Sequence, residues 1–214
     1  MTFDLLTACA VNGALAAAPG GVSTAMGAML DTPPAALERW SEVRRRYDAV
    51  AVGTGTVLID DPTLTSHAVA GGAAPVRVTL DRTGRIPRHA RIFDGSARTL
   101  VGVVSSTPAA YLDFLASRGV EAVPAGKDRI DLAAFAGALA GRGLRRVVVE
   151  GGGRLNRELL RQGLVDRIYL TLLPAALDST AVNLFQGPGG PVRLRLLTCD
   201  RLEDYLFLVY QTIR

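Results

Sequence analysis

Two stretches of this 214-residue chain hold residue types that could do chemistry. In the first, Glu150-Gly151-Gly152-Gly153-Arg154-Leu155 follows the β-branched run Val147 to Val149, and Leu155, Leu159 and Leu160 then recur at helical spacing. A strand, a glycine loop and a helix start in that order can bind an anion. Glycines without a Cβ let a phosphate approach the backbone, and the N–H groups of the first helical turn point toward it. Glu150 adds a carboxylate at the strand end, where open α/β sheets place their ligands. The plainer reading is a tight strand-to-helix turn, which needs the glycines but not the charge. In the second stretch, Gly53-Thr54-Gly55-Thr56 follows the strand-like residues up to Val52. It reads as a glycine-containing turn whose hydroxyls can bond a phosphate or an amide. Asp60-Asp61-Pro62 then holds two carboxylates on a proline-fixed turn, and these could equally be a capping pair.

The elements that must position these residues alternate between strand and helix. Phe3 to Ala10 reads as a first strand buried on both faces, turned by Asn12-Gly13, and the Ala- and Gly-rich piece up to Met29 reads as a loop over a ligand cleft. Asp31 or Thr32 caps a helix starting at Pro33 or Pro34, with Leu37, Trp40 and Val43 on one face and Trp40 taken as core packing. Val76 to Leu80, Leu100 to Val104 and Val120 to Val123 read as strands. Between and after them, Thr107-Pro108 starts a helix carrying Tyr111, Leu112 and Leu115, and Asp131 caps another with Leu132, Phe135 and Leu139 inward. Ile168 to Leu173 continues the pattern, and Val192 to Leu197 with Tyr205 to Ile213 form a closing, antiparallel pair. This order predicts an α/β fold, a mostly parallel sheet with right-handed crossovers, in one domain spanning 1–214.

Composition removes other classes. The chain is 49% hydrophobic and 21% charged, enough for a sizeable core. All but one of its 24 basic residues are arginines, Lys127 being the exception, and the formal net charge is +4. The arginines are dispersed without an aromatic-interleaved basic run, which argues for an anionic small molecule and against nucleic acid. Cys9 and Cys199 stand apart without metal-ligand spacing and read as reduced core cysteines of a cytosolic protein, with no metal expected. The apolar run from Leu5 to Ala18 lacks a basic leader and is interrupted by Asn12, unlike a signal peptide. No segment reaches the roughly 18 to 20 apolar residues needed to span a bilayer, so no membrane is expected.

Gly53-x-x-Thr56-Val57-Leu58-x-Asp60-Asp61-Pro62-x-Leu64-Thr65 and Glu150-Gly151-Gly152-x-x-Leu155, with Leu159-Leu160-x-x-Gly163-Leu164-Val165-Asp166 and Pro174, resemble the reductase domain of riboflavin biosynthesis. The resemblance runs over nearly the whole chain. It implies a dihydrofolate reductase-like three-layer fold and a homodimer in the cytoplasm. The deaminase that accompanies the domain in many members has no counterpart, since no His-x-Glu with Pro-Cys-x-x-Cys occurs.

The activity implied by this resemblance is NADPH-dependent reduction of a ribosylaminopyrimidine phosphate, with hydride delivered to C1 of the opened ribose imine. Carried over by motif, Thr56 and Asp60 meet the nicotinamide half, with Asp60 catalytic. Gly151, Gly152, Gly153, Arg154 and Leu155 hold the pyrophosphate, and Ser105 touches the cofactor. Arg44, Leu64, His67 and Glu150 fall on substrate positions. The sequence departs from the family at Asn12, where Asp is usual, around Leu6 and Thr7, at Ala28 to Leu30, and at His67, which stands for a basic phosphate partner. His67 is mostly neutral at pH 7 and weaker than arginine in that role. Two further readings stand beside the first: a reductase of a different C=N compound, such as a pterin or a specialised-metabolite precursor, and a non-catalytic nucleotide-binding protein. Arg82 and Arg85 are the candidates for reading the cofactor's 2′-phosphate.

Overall fold

Apolar runs without alternation suit strands buried on both faces. The computed structural model, which describes residues 1–16, 32–64, 74–177, 182–185 and 188–213, forms strands from them. In chain order the elements are β1 (Phe3–Ala10), β2 (Ala14–Ala16), α1 (Pro34–Arg44), β3 (Ala49–Val52), α2 (Thr54–Asp60), β4 (Val76–Leu80), a 3-10 turn (Arg91–Phe93), β5 (Thr99–Val103), α3 (Ala109–Ser117), β6 (Glu121–Pro124), α4 (Leu132–Ala140), β7 (Val147–Val149), α5 (Gly153–Arg161), β8 (Val165–Leu173), β9 (Val182–Asn183), β10 (Leu194–Leu202) and β11 (Tyr205–Thr212). The chain divides into two compact units, one of Met1 with Arg44–Val147 and one of Thr2–Val43 with Val148–Arg214.

In the first unit β3, β4, β5 and β6 are hydrogen-bonded in that order and all parallel. Every residue of β3 and β5 is buried, as the apolar runs require. Gly102 in β5 is there because α4 comes close: a Cβ would lie 2.9 Å from the Phe135 ring and 2.5 Å from Leu80. Asp131 caps α4 by accepting from Ala134 N at 2.9 Å, as its position before an apolar helix predicts. Around Val52, Val57, Ile92, Phe93, Val103, Tyr111 and Leu115 lies the core of this unit.

In the second unit the strand order is β10-β11-β8-β1, with β1 and β8 parallel and the terminal pair antiparallel. The α/β class, the mostly parallel strands and the antiparallel C-terminal pair are therefore as expected. Trp40 in α1 is half-buried and donates from Nε1 to Thr171 Oγ1 at 2.8 Å, while Arg39 pairs with Asp200 at 3.1 Å and lies 5.0 Å above the Phe207 ring.

Several expectations change. Leu37 is 46% exposed and not on the packed face. The indole bond to Thr171 and the buried Ala36 turn α1 about that side, which leaves Leu37 at its margin. Cys199 is exposed on β10 and only Cys9 is a core thiol. The expected long loop after Gly13 begins as a short strand, because Ala14–Ala16 pairs with Val182–Asn183. Residues 17–31, with the departures at Ala28 to Leu30, and His67 lie outside the described residues.

Candidate active site

The sequence-expected turn after β3 is a helix. Gly53 is its N-cap, with φ −75° and ψ 158°, and its carbonyl accepts from Thr56 N at 3.0 Å and Val57 N at 3.2 Å. Val57 is buried in the core, and Thr54 Oγ1 donates to Leu80 O at the end of the neighbouring strand. Those anchors outweigh the poor helix propensity of Gly55. Asp61 ends the helix in the left-handed region, φ 39°, with its N–H on Val57 O at 3.1 Å. Asp60 is thus the last helical residue and does not begin a turn.

This correction brings Thr56 and Asp60 together. Four residues apart in α2, they share one face of the helix. Both are half-buried, and the Oδ1 atom of Asp60 is shielded from solvent. Asp61 has a different task, since its Oδ1 accepts from Arg91 N at 2.8 Å. Ser105 is exposed just beyond β5, two strands further along the C-terminal edge, roughly 10 Å from the end of β3 at ordinary strand spacing. Arg82 follows β4 between them, and its carbonyl accepts from Thr107 Oγ1 at 2.9 Å. Leu64 packs against the core from a left-handed backbone, φ 55°, and Arg44 is half-buried in the last turn of α1.

The second group lies in the other unit. Glu150 is half-buried directly after β7. Gly151 and Gly152 take φ 135° and 96°, values that L side chains rarely adopt. Gly153 opens α5, whose first bond runs from Asn156 N to Gly152 O at 2.9 Å. The N–H groups of Gly153, Arg154 and Leu155 therefore precede the helical ladder, the place where a helix start can take an anion. Arg154 is exposed beside them and Leu155 half-buried.

Asn156 was not singled out by sequence. It is 0% exposed, yet its Oδ1 and Nδ2 have no hydrogen-bond partner among the described residues. Helical side chains lean toward the N-terminus, so this amide lies over the turn that starts at Gly153. Backbone glycines, the N–H groups of a helix start and an exposed arginine fit a dinucleotide pyrophosphate. Among the described residues no cluster suited to a metal ion occurs, and no helix is long and apolar enough to cross a membrane.

Residues 7–207 match the family described as the RibD C-terminal domain. The chain belongs to that family. It is 37% identical over 199 residues to the 2,5-diamino-6-ribosylamino-4(3H)-pyrimidinone 5′-phosphate reductase of Methanothermobacter thermautotrophicus, covering 89% of this chain and 92% of that protein. The protein of the same name from Aquifex aeolicus is 28% identical over 202 residues, covering 94% and 89%. Among solved structures, a pyrimidine reductase-like protein from Corynebacterium diphtheriae superposes with a TM-score of 0.82 at 20% identity, covering 100% of this chain and 92% of its own. That likeness concerns the fold, and the dihydrofolate reductase-like architecture implied by the motifs holds.

Asn12, read from the sequence as a departure from the resemblance, makes a two-way contact with Leu177. Its Nδ2 donates to Leu177 O at 2.6 Å while its Oδ1 accepts from Leu177 N at 3.4 Å. An ionised aspartate could not supply the donor.

Proposed function

We propose that this RibD-family protein is an NADPH-dependent oxidoreductase of riboflavin biosynthesis that reduces a ribosylaminopyrimidine phosphate to its ribitylamino product. The observation that carries the reading is the Glu150-Gly151-Gly152 turn into α5, with two glycines at positive φ ahead of the first-turn N–H groups. The 37% identity to a pyrimidinone phosphate reductase supports the substrate class.

NADPH, when bound, supplies a hydride from its nicotinamide ring. Gly151 to Leu155 would hold its pyrophosphate and Ser105 would touch the cofactor at the end of β5. Thr56 and Asp60 would face the nicotinamide. The reacting substrate is an imine formed by opening of the ribose ring. Asp60 stabilises its protonated nitrogen and orients C1 toward the hydride, so the positive charge discharged on transfer starts beside a carboxylate. Arg44, Leu64, His67 and Glu150 would meet the pyrimidine and its phosphate.

The same reading includes a homodimer. β10 has β11 as its neighbour and leaves Leu194, Leu196 and Leu197 at 37%, 49% and 44% exposure. A second copy would cover these leucines. Both cysteines are free thiols, in keeping with the reducing cytoplasm.

The test is a fluorescence titration with NADPH followed by turnover of 2,5-diamino-6-ribosylamino-4(3H)-pyrimidinone 5′-phosphate. NADPH oxidation that depends on this compound is expected. Tight NADPH binding without oxidation would remove the substrate, and no binding would remove the whole reading.

A further inference from the structure

We infer that Arg77, braced by Asp94, is a positioning residue that holds the Asp61–Leu64 segment in its working shape without touching substrate. Arg77 is the second residue of the apolar strand β4 and is 0% exposed. A buried guanidinium is costly unless every edge of it is met. Nε donates to Thr99 Oγ1 at 2.8 Å, Nη2 to Ala97 O at 2.8 Å, and Nη1 to Asp94 Oδ1 at 2.8 Å. Ser96 Oγ and Thr63 O each lie 3.3 Å from the same Nη1.

Four of these five partners lie within residues 94–99, which lead into and open β5. Thr63 is the exception, and it lies between two residues in an unusual conformation. Asp61 at φ 39° and Leu64 at φ 55° both occupy the left-handed region, which side chains other than glycine's seldom enter. Such a backbone persists where its surroundings over-determine it. Two bonds do so here: Arg77 Nη1 to Thr63 O, and Arg91 N to Asp61 Oδ1 at 2.8 Å. Both come from a single framework, because Arg91 opens the turn that leads to Asp94.

Asp94 fixes that framework. Its Oδ1 accepts from Ser96 N at 2.9 Å and Ser96 Oγ at 2.6 Å besides Arg77. Partial burial opposes ionisation, yet Ser96 and Arg77 hold the carboxyl down to about 2. The brace is therefore charged at any working pH. An apolar residue of similar size would fill β4 at less cost, so the arginine is better explained by the loop it reaches than by the strand it occupies.

The inference rests on the proposed role of Leu64 and its neighbours at the substrate. It is tested with Arg77→Lys, which keeps charge but loses the fork, and Asp94→Asn, which keeps an oxygen acceptor at a partly exposed site but loses the charge. For both, KM for the pyrimidine phosphate should rise about tenfold while kcat stays within about twofold and NADPH affinity is retained. Amide hydrogen exchange should accelerate over residues 61–64 and not across β3 to β6. Wild-type KM with wild-type exchange in folded variants would overturn the brace, as would faster exchange spread evenly through the unit. If the wild-type enzyme does not turn over the pyrimidine phosphate, the proposed function falls. The exchange measurement then decides the brace alone: acceleration confined to residues 61–64 supports it, and unchanged exchange refutes it.

Discussion

Asp48 and Arg146 bind each other in both directions. Asp48 N donates to Arg146 O at 2.8 Å, Asp48 Oδ2 accepts from Arg146 N at 2.8 Å and from Arg145 N at 2.9 Å, and Oδ1 accepts from the Arg146 guanidinium at 3.0 Å. This clamp ties the residues ahead of β3, which leads to Thr56 and Asp60, to Arg145 and Arg146 near the end of the same unit. Burial alone would raise the Asp48 pKa, but the backbone and side chain of Arg146 with the Arg145 N–H hold it below the usual carboxylate range.

Asp48→Ala should therefore lower stability by about 1–3 kcal/mol, the scale for stranding backbone donors, as read by urea unfolding. The pH dependence follows in sign. The folded pKa is depressed, so the contribution is complete above the unfolded value near ~4 and is lost as pH falls through the folded one. Asp48→Asn should flatten the acid limb of the stability profile, and an unchanged limb would show that the clamp is electrostatically silent.

Gly152 at φ 96° leaves no room for a side chain without strain. Gly152→Val should weaken NADPH binding more than about tenfold, because a β-branched residue both disfavours that backbone and stands against the pyrophosphate. Fluorescence titration of a variant with wild-type thermal stability checks it, and wild-type affinity would take the phosphate off this turn.

Asp60 and Asp61 should separate by function. Asp60→Asn keeps shape and removes charge, so kcat should fall about 100-fold with little change in NADPH affinity. Asp61→Asn still offers Arg91 N an acceptor and should retain kcat. Steady-state kinetics on the two variants would reverse the assignment if the losses were exchanged.

Of the two candidate 2′-phosphate readers, Arg82 and Arg85, the prediction is made for Arg82, which follows β4 and whose guanidinium donates to Asp128 O at 3.3 Å. Arg82→Ala should cut the ratio of kcat/KM for NADPH over NADH about tenfold, the scale of one charge-assisted hydrogen bond. Arg85→Ala should leave the ratio alone. A ratio unchanged in the Arg82 variant would move the 2′-phosphate elsewhere.

Much of this protein was legible in the residues. Phe3–Ala10 and Val76–Leu80 form the expected strands, Asp131 caps its helix, and Leu159, Leu160 and Gly163 mark the end of α5, because apolar period, capping and glycine conformation act within a few residues. The carboxylates and glycines that could serve a reductase were equally visible. Other features depend on partners distant in sequence. The helical state of Thr54–Asp60 follows from Val57 entering the core and Thr54 reaching Leu80, and without these Gly53 and Gly55 read as a turn. That Asp61 is engaged by a backbone N–H is decided by Arg91, thirty residues on. Arg77 lies in the sequence as one charge within the Val76–Leu80 strand, and its acceptors at Thr63 and in the 94–99 segment come within hydrogen-bond distance only in the folded chain.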